Sequence, residues 1–291
     1  DTEWTNLNTG AWCNYNNNNS SINDVTYGKL YNWYAVETGK LCPIGWHVPT
    51  DAEWTILTDY LAANGHDGTE GTALKSTEGW RGYNSNSLPP GWTAKEGMLM
   101  FDTELELEQN YVGGKDIIYG KQKFTEFEFY IEWKIPRGGN SGIFYHIKEG
   151  YSSPSEISPE YQLIDDINYA SIHDLRSYNE QFGVDEPEKL QDWQQTGANY
   201  AMHVVQNKNK IFYPAGEWNS SRILVTNQLV EHWLNGQLLL SFEPWSDDWY
   251  KRRESGKWKN VKNYGKYKKG YIGLQDHGSS LWFKNIKIKK L

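Results

Sequence analysis

Three short runs of the sequence alternate in the manner of β-strands, and each places polar or ionisable side chains on one side. Successive side chains of a strand point to opposite faces of a sheet, so every second residue shares a face. The positions that share these faces are Asn140, Gly142, Phe144 and His146 in the first run, Glu160 and Gln162 in the second, and Tyr271, Gly273, Gln275 and His277 in the third. If the three runs meet in one sheet, they line a single cleft that a ligand can approach closely beside the glycines.

Within this set, Glu160 and His277 are the side chains that we expect to transfer protons or to bind a metal ion. Asp165, at the end of the second run, is a further candidate for a metal ligand, although Asp is also common in turns. Gln162 and Gln275 suit the binding of hydroxyl groups. An ordinary structural interpretation stays open for each residue: Glu160 could be a solvated strand residue beside a turn, and His277 could cap the turn that follows it.

The bulk composition narrows the classes of partner. The chain has 291 residues with 15 Trp and 20 Tyr, and such aromatic rings either stack on sugars or fill β-sandwich cores. A net charge of −8 argues against nucleic acid as a partner. No apolar run is long enough to span a membrane. The two cysteines, Cys13 and Cys42, allow at most one disulfide and no cysteine-based metal site. The chain starts at Asp1 without a Met, as expected if an export signal has been removed.

After about residue 88, strand signals follow one another with few helix signals. The predicted strands are 124–133, 141–147, 161–164, 200–205, 222–226, 229–233, 238–242, 271–275 and 282–288. Asn235-Gly236 predicts a tight hairpin between two of them. Many short strands with Gly and Asn turns predict a mostly-β sandwich or jelly roll. Two long irregular stretches, 165–198 and 243–270, interrupt it, and loops of that length are often functional.

The first part of the chain, residues 1–87, has a different character. It is rich in Asn, Gly, Thr and Trp, and it contains one clear helix signal. Thr50 can cap that helix, and Glu53, three residues later, completes a capping box. The helix is expected to end before Asn64 and Gly65. The Ser-, Asn- and Pro-rich segment 83–91 predicts a linker between two parts.

The first part resembles the Fibrobacter succinogenes major paralogous domain, a C-type-lectin-like module of exported bacterial proteins. The matching segments are YGKLYNWYAV at 27–36 and LCPIGWHVPTDAEW at 41–54. The match covers residues 1 to about 82, so the family's later half, with its C-terminal cysteine, is missing. The resemblance implies a small, truncated α+β segment in which Cys42 pairs with Cys13 or stays free. It also implies contact with a surface glycan.

Residues 88–291 resemble the 3-keto-disaccharide hydrolase domain, a concanavalin-like jelly roll. The segments that carry the match, in family order, are EWKI at 132–135, GNSGI at 139–143, EYQLID at 160–165, TGANY at 196–200, GEWN at 216–219, WLNG at 233–236 and GYIGLQDHG at 270–278. The family usually has Arg where this chain has His146. Because the family is common among exported enzymes of Bacteroidota-like bacteria, the resemblance implies a secreted, periplasmic or outer-surface location.

The resemblance also implies a mechanism. The substrate is an oligosaccharide or glycoside with a ketone at carbon 3 of one sugar, and this ketone acidifies the hydrogen at carbon 2. A base removes that hydrogen, the aglycone leaves from carbon 1, and water then adds to the enone. Glu160 and His277 would be base and acid, in either order. The remaining polar-face residues would bind the sugar, namely Asn140, His146, Gln162, Gln275 and Tyr271. A divalent metal held by Glu160, Asp165 or His277 could serve as the electrophile, and no organic cofactor is expected.

Two other function classes remain open at this point. Concanavalin-like sandwiches can bind glycans without cleaving them, and the fold alone does not decide. A laminarinase-type endo-glycanase would need a strand with two glutamates and an aspartate at alternating positions. Here Gln162 replaces one carboxylate and Asp165 has the opposite parity to Glu160.

Overall fold

The computed structural model describes residues 7–14, 29–42, 47–63, 67, 79–95, 97–102, 115–207 and 209–291. The chain divides into two units, Asp1–Leu74 and Lys75–Leu291. The division lies before the boundary at residue 87 that the sequence indicated. Residues 80–82 belong to the second unit because they form a strand of its sheet. In the described part of the chain, no helix is long and apolar enough to cross a membrane.

The described residues of the first unit form a strand pair and two helices. Strands β1 (Trp12–Asn14) and β2 (Lys29–Tyr31) are antiparallel, and helices α1 (Trp33–Glu37) and α2 (Asp51–Leu61) follow. The predicted capping box at the start of α2 is confirmed: the Thr50 hydroxyl accepts from the Glu53 amide, and the Glu53 carboxylate accepts from the Thr50 amide. Cys13 and Cys42 are both free thiols. The resemblance of this unit to a lectin-like module stays a prediction, and parts of its motif, 27–28 and 43–46, lie outside the described residues.

The second unit is a β-sandwich of two antiparallel sheets, as the sequence predicted. Its strands are β3 (Trp80–Gly82), β4 (Trp92–Lys95), β5 (Met98–Phe101), β6 (Ile117–Tyr119), β7 (Phe127–Lys134), β8 (Asn140–Ile147), β9 (Glu160–Ile164), β10 (Asn219–Val225), β11 (Val230–Leu234), β12 (Gln237–Phe242), β13 (Tyr271–Leu274) and β14 (Leu281–Lys290). One sheet has the order β12-β11-β10-β7-β14-β5-β4, and the other has the order β3-β6-β13-β8-β9. The strand predicted at 200–205 is wrong, since this segment forms turns.

Strand alternation builds the core between the sheets. In β7, Phe127, Phe129, Ile131 and Trp133 are buried while the residues between them are half-buried, which is the period-two pattern of a strand with one covered face. The Trp133 indole donates to the Ser221 hydroxyl of β10 at 2.8 Å, so its polar atom is satisfied inside the core.

The predicted hairpin between β11 and β12 is confirmed. Asn235 and Gly236 both have positive φ angles, 47° and 78°, as the tight turns of such hairpins require.

Two long connections of the second unit carry the α-helices of its described residues. The stretch after β9 contains α3 (Tyr169–Ile172) and α4 (Arg176–Asn179), and the stretch after β12 contains α5 (Asp247–Ser255). The hydroxyl of Ser246 caps α5 by accepting from the Trp249 amide. The rings of Trp249, Tyr264 and Trp258 then stack in series, with centroid distances of 6.2 and 4.0 Å. All three rings come from the second connection, and they are buried in the hydrophobic core together with residues of the two sheets, which anchors this connection.

We predict that Trp133→Ala lowers the free energy of unfolding by about 3–5 kcal/mol, because it leaves a cavity between the sheets. The matched control is Trp282→Ala on β14, where the ring is half-buried and lies under the ammonium of Lys134; its loss is expected to be about 1 kcal/mol. Urea unfolding measures both values. Equal losses in the two variants would contradict the assignment of Trp133 to the core.

Candidate active site

Strands β13, β8 and β9 lie side by side in the five-stranded sheet, so the three polar runs of the sequence do meet. Gly142 of β8 is opposite Gln162 of β9, and Phe144 is opposite Glu160. On the other side of β8, the Gln275 amide donates to the Gly142 carbonyl at 2.9 Å. The face of these strands that points away from the core lines a cavity of about 470 Å³. Of the predicted site residues, this cavity contains Asn140, Glu160, Gln162, Gln275 and His277.

The Glu160 side chain is buried at 5% exposure and lies directly over Gly142. A Cβ atom on Gly142 would overlap the Glu160 carboxylate, so the glycine makes the space that this side chain occupies. Burial raises the pKa of Glu160 to about 8, against the opposing effect of the Lys257 ammonium and with a small contribution from Asp116. The carboxyl group is therefore protonated at neutral pH.

A chain of amide and hydroxyl groups borders Glu160 on the cavity floor. The Gln162 amide nitrogen donates to the Asn140 side-chain oxygen at 3.1 Å, and the Asn140 amide nitrogen donates to the Tyr169 hydroxyl at 3.3 Å. The Gln275 side-chain oxygen is buried without a hydrogen-bond partner in the described part of the chain. A buried acceptor of this kind is costly unless a ligand or water satisfies it, which suits the recognition of sugar hydroxyls.

His277 follows β13 in a turn that two buried carboxylates hold. Asp116 accepts from the Asp276 amide at 3.0 Å, and Asp276 accepts from the amides of Gly278 and Lys115 at 2.9 and 3.1 Å. The His277 side chain itself lines the cavity and keeps exposed surface. Its pKa is lowered from the ordinary value, chiefly by desolvation. The imidazole is therefore neutral at neutral pH and can accept a proton.

The opposite wall of the cavity comes from the two long connections. Lys257 lies with its ammonium 4.4 Å from the ring centroid of Tyr200 and 4.7 Å from that of Trp258. The hydroxyls of Tyr178 and Tyr200 are 2.9 Å apart. The sequence had singled out both connections by their length. It did not indicate Lys257 in particular, because irregular segments give no rule for which side chain points inward.

The prediction for His146 is wrong because β8 contains a bulge. Phe144 pairs with Gly273 and Ile147 pairs with Tyr271, so β8 has one residue more than β13 between these two pairs. His146 lies in this bulge with a φ of 56°. The extra residue turns His146 toward the interior, where its ring packs on Trp245 with a centroid distance of 6.1 Å. Burial lowers the pKa of His146 to about 4. The side chain donates to the Thr125 carbonyl and takes no part in the cavity.

Tyr271 also lies outside the cavity. Although it shares a face with Gln275, its ring packs against the small apolar cluster of Ile118, Phe144 and Ile147. The cations of Arg81 and Lys123 lie 5.4 and 4.8 Å from its ring centroid. The ring is therefore a structural contact at the far end of β13.

The three candidate metal ligands are not brought together. The Asp165 carboxylate is fully buried and accepts from the Gly138 amide at 2.8 Å and from the Ile167 amide at 3.2 Å, so it holds a turn. Among the described residues, no group of three or more His, Cys, Asp or Glu side chains could hold a metal ion. The donor set therefore does not fit a metal held by Glu160, Asp165 and His277.

Comparison with known proteins agrees with this architecture. A family described as the 3-keto-alpha-glucoside-1,2-lyase-like domain matches residues 69–289. A Bacteroides thetaiotaomicron protein named 3-keto-disaccharide hydrolase is 33% identical over 239 residues, which is 75% of this chain and 76% of that protein. A crystal structure from Parabacteroides distasonis, provisionally described as a glycosyl hydrolase, is 40% identical with a TM-score of 0.62 and covers 73% of this chain and 89% of that one.

The β-sandwich with a polar cavity on its outer face thus defines an enzyme of the glycoside hydrolase type. The chain belongs to the family of the 3-keto-alpha-glucoside-1,2-lyase-like domain.

The raised pKa of Glu160 has a consequence for stability. Between its ordinary pKa of 4.5 and about 8, the folded state keeps a proton that the unfolded state has lost. Stability should therefore fall as pH rises through this window and level off above it. Asp116, whose pKa burial raises to about 7, contributes with the same sign.

We predict that Glu160→Gln makes this fall shallower and stabilises the protein relative to wild type above about pH 8. Urea unfolding between about pH 5 and 9 measures the effect. Glu243→Gln, at an exposed position, is the matched control and should leave the profile unchanged. A Glu160→Gln profile parallel to wild type would show that this carboxyl group is not buried as described.

Proposed function

We propose that the protein cleaves the glycosidic bond of glycosides that carry a ketone at carbon 3, by elimination and then addition of water. One observation carries the proposal: a single cavity contains a carboxyl group that is protonated at neutral pH and an imidazole that is neutral. Such a pair, with pKa values moved in these opposite directions, suits simultaneous acid and base catalysis. The name of the Bacteroides relative supports the same substrate class.

The protonation states suggest an order for the two roles. Neutral His277 removes the proton at carbon 2, and the electron pair forms the enolate of the carbon-3 ketone. The bond from carbon 1 to the aglycone oxygen then breaks, and protonated Glu160 gives its proton to that oxygen. In the second step, the Glu160 carboxylate takes a proton from water as the water adds to carbon 1, and the His277 imidazolium returns a proton to carbon 2. Both groups end in their starting states.

The other cavity residues supply binding and electrostatics. The Lys257 ammonium can stabilise the negative charge that develops on the substrate oxygens. Gln162, Asn140 and Gln275 offer amide groups that can orient the sugar ring. No step in this scheme requires a metal ion.

The laminarinase-type alternative receives no support from the structure. It requires further carboxylates on the strand of Glu160 that point into the same cleft. Position 162 is an amide in a hydrogen bond with Asn140, and the Asp165 carboxylate is buried in backbone contacts.

The test is turnover of 3-keto-glucosides beside their unoxidised parents, with wild type, Glu160→Gln and His277→Ala. We expect cleavage of the keto substrates alone and a loss of at least about a hundredfold in kcat in either variant. Glu243→Gln is the control for Glu160→Gln. Treatment with a chelator should leave the rate unchanged.

Cleavage of the unoxidised sugars by wild type would overturn the elimination mechanism in favour of direct hydrolysis. A glycan bound tightly by wild type and by Glu160→Gln, with no cleavage of any substrate, would contradict the proposed substrate class.

The pH dependence of kcat/KM is a separate prediction. Activity needs protonated Glu160, so it should fall as pH rises through about 8. It also needs neutral His277, whose lowered pKa should place the acid limb below the ordinary 6.5. The expected profile is a bell with its maximum between these limits. The Lys257 ammonium lowers the pKa of Glu160, so its removal in Lys257→Met should move the alkaline limb to higher pH. An alkaline limb that does not move in this variant would contradict the assignment to Glu160.

A further inference from the structure

A second imidazole, that of His173, lines the catalytic cavity beside the residues of the proposed reaction. It follows helix α3 in the connection after β9. The His173 ring stacks on the ring of Tyr169, with a centroid distance of 4.3 Å and an interplanar angle of 30°. Desolvation is the main cause of the lowered pKa of His277, and the charge of His173 adds to it. These two histidines therefore lie within electrostatic reach of each other.

The two ring nitrogens of His173 have different surroundings. Nε2 lies 2.8 Å from the Gly138 carbonyl oxygen. A carbonyl oxygen can only accept a hydrogen bond, so Nε2 carries the proton of the neutral ring. Nδ1 is then left with a lone pair, and none of the described residues donates a hydrogen bond to it. The neutral ring thus has one unused acceptor.

The contact between His173 and Gly138 depends on a missing side chain. Gly138 has a φ of 71°, a conformation that favours glycine. A Cβ atom on Gly138 would lie 2.8 Å from the Ile172 side chain and 3.3 Å from Nε2 of His173. The glycine therefore lets the end of α3 approach closely enough for the hydrogen bond to form.

The Asp165 carboxylate holds both sides of this hydrogen bond in place. It is fully buried, and one of its oxygens accepts from the Gly138 amide at 2.8 Å. The other oxygen accepts from the amides of Ile167 and Asn168, just before α3, at 3.2 and 3.3 Å. Hydrogen bonds to an ionised group are stronger than those between neutral groups. Asp165 thus connects the turn at Gly138 to the start of the helix that leads to His173.

The acceptor atoms of the cavity floor are partly occupied by protein groups. The Asn140 side-chain oxygen accepts from Gln162, and the Tyr169 hydroxyl accepts from the Asn140 amide nitrogen. In contrast, the Gln275 side-chain oxygen and Nδ1 of His173 have no partner in the described part of the chain. A sugar hydroxyl that enters the cavity needs an acceptor for its proton, and Nδ1 can supply one.

We propose that His173 is a further substrate-binding residue and that its Nδ1 accepts a hydrogen bond from a hydroxyl group of the keto sugar. This inference rests on the proposed function, because it concerns the same cavity and the same substrate. The contact of Nε2 with Gly138 fixes the orientation of the ring, and the Asp165 carboxylate holds the turn and the helix between which that contact forms. His173 is therefore a specificity-determining residue, which favours sugars that present a hydroxyl group at the bound position.

The experiment measures kcat/KM on methyl 3-keto-glucoside and on its 2-deoxy, 4-deoxy and 6-deoxy analogues. In His173→Gln, the side-chain amide can still donate to the Gly138 carbonyl from the position of Nε2, but the acceptor at Nδ1 is gone. We expect this variant to lose roughly tenfold on the parent sugar. On the one analogue that lacks the bound hydroxyl, wild type and variant should differ little, because the contact is already absent. His47→Gln, at an exposed position of the first unit, is the matched control and should retain the wild-type kcat/KM.

A loss of the same size on the parent and on all three analogues, or no loss on any of them, would overturn the hydroxyl contact. A second variant, His173→Asn, places its side-chain oxygen near the position of Nδ1 and gives up the bond to Gly138. It should therefore lose less than His173→Gln on the parent sugar. A larger loss in His173→Asn would show that only the bond to Gly138 matters and would also overturn the inference.

A measurement without turnover separates this inference from the proposed function. In Glu160→Gln protein with nitrogen-15-labelled histidine, long-range proton–nitrogen spectra show which ring nitrogen carries the proton, and the signals that His173→Gln removes are those of His173. At about pH 8, where an ordinary histidine is neutral, we expect the proton on Nε2 and a changed Nδ1 shift after addition of methyl glucoside or methyl 3-keto-glucoside. That change supports the inference even if wild type cleaves neither sugar. A proton on Nδ1, or an Nδ1 shift that neither sugar changes, would overturn it even if the keto-glycosides are cleaved.

Discussion

The contact between the Glu160 carboxyl group and Gly142 is the constraint on which the site depends. The two residues lie on paired strands. Because Gly142 has no side chain, the buried Glu160 carboxyl group can occupy the space above it. Burial at this position raises the pKa of Glu160 and so determines its protonation state. A larger residue at 142 would displace the carboxyl group from the cavity floor, and with it the acid of the proposed reaction.

Two kinds of support hold the catalytic groups around that contact. On the side of β13, the carboxylates of Asp116 and Asp276 bind backbone amides and fix the turn that carries His277. On the opposite side, the irregular connection that carries Lys257 is anchored by its own rings, Trp249, Trp258 and Tyr264, which are buried in the hydrophobic core. Regular strands thus position the acid and the sugar-binding amides, while packed loops supply the cation. This division is common where a rigid sheet presents variable loops.

The same aromatic packing that closes the catalytic cavity also creates its neighbour. Tyr178 and Tyr200 share a hydrogen bond, and their other edges contact Phe182 and Trp193. These rings line the catalytic cavity on one side and a second cavity on the other.

The amino-acid sequence by itself determined the β-sandwich, most of its strands and which side chains of each run share a face, because strand parity is a local property of the chain. That Asn140, Glu160, Gln162 and Gln275 line one cavity was decided by the pairing of the strands. Parity failed at His146, where a bulge that depends on pairing with β13 turns the side chain inward. It also could not exclude Asp165, whose carboxylate binds the amide of Gly138 from the preceding turn. Lys257 was missed because it lies in an irregular segment that only the tertiary fold brings against Tyr200 at the cavity. The burial that sets the pKa of Glu160 was likewise decided by tertiary structure, since it requires chain segments far apart in sequence to close over one carboxyl group.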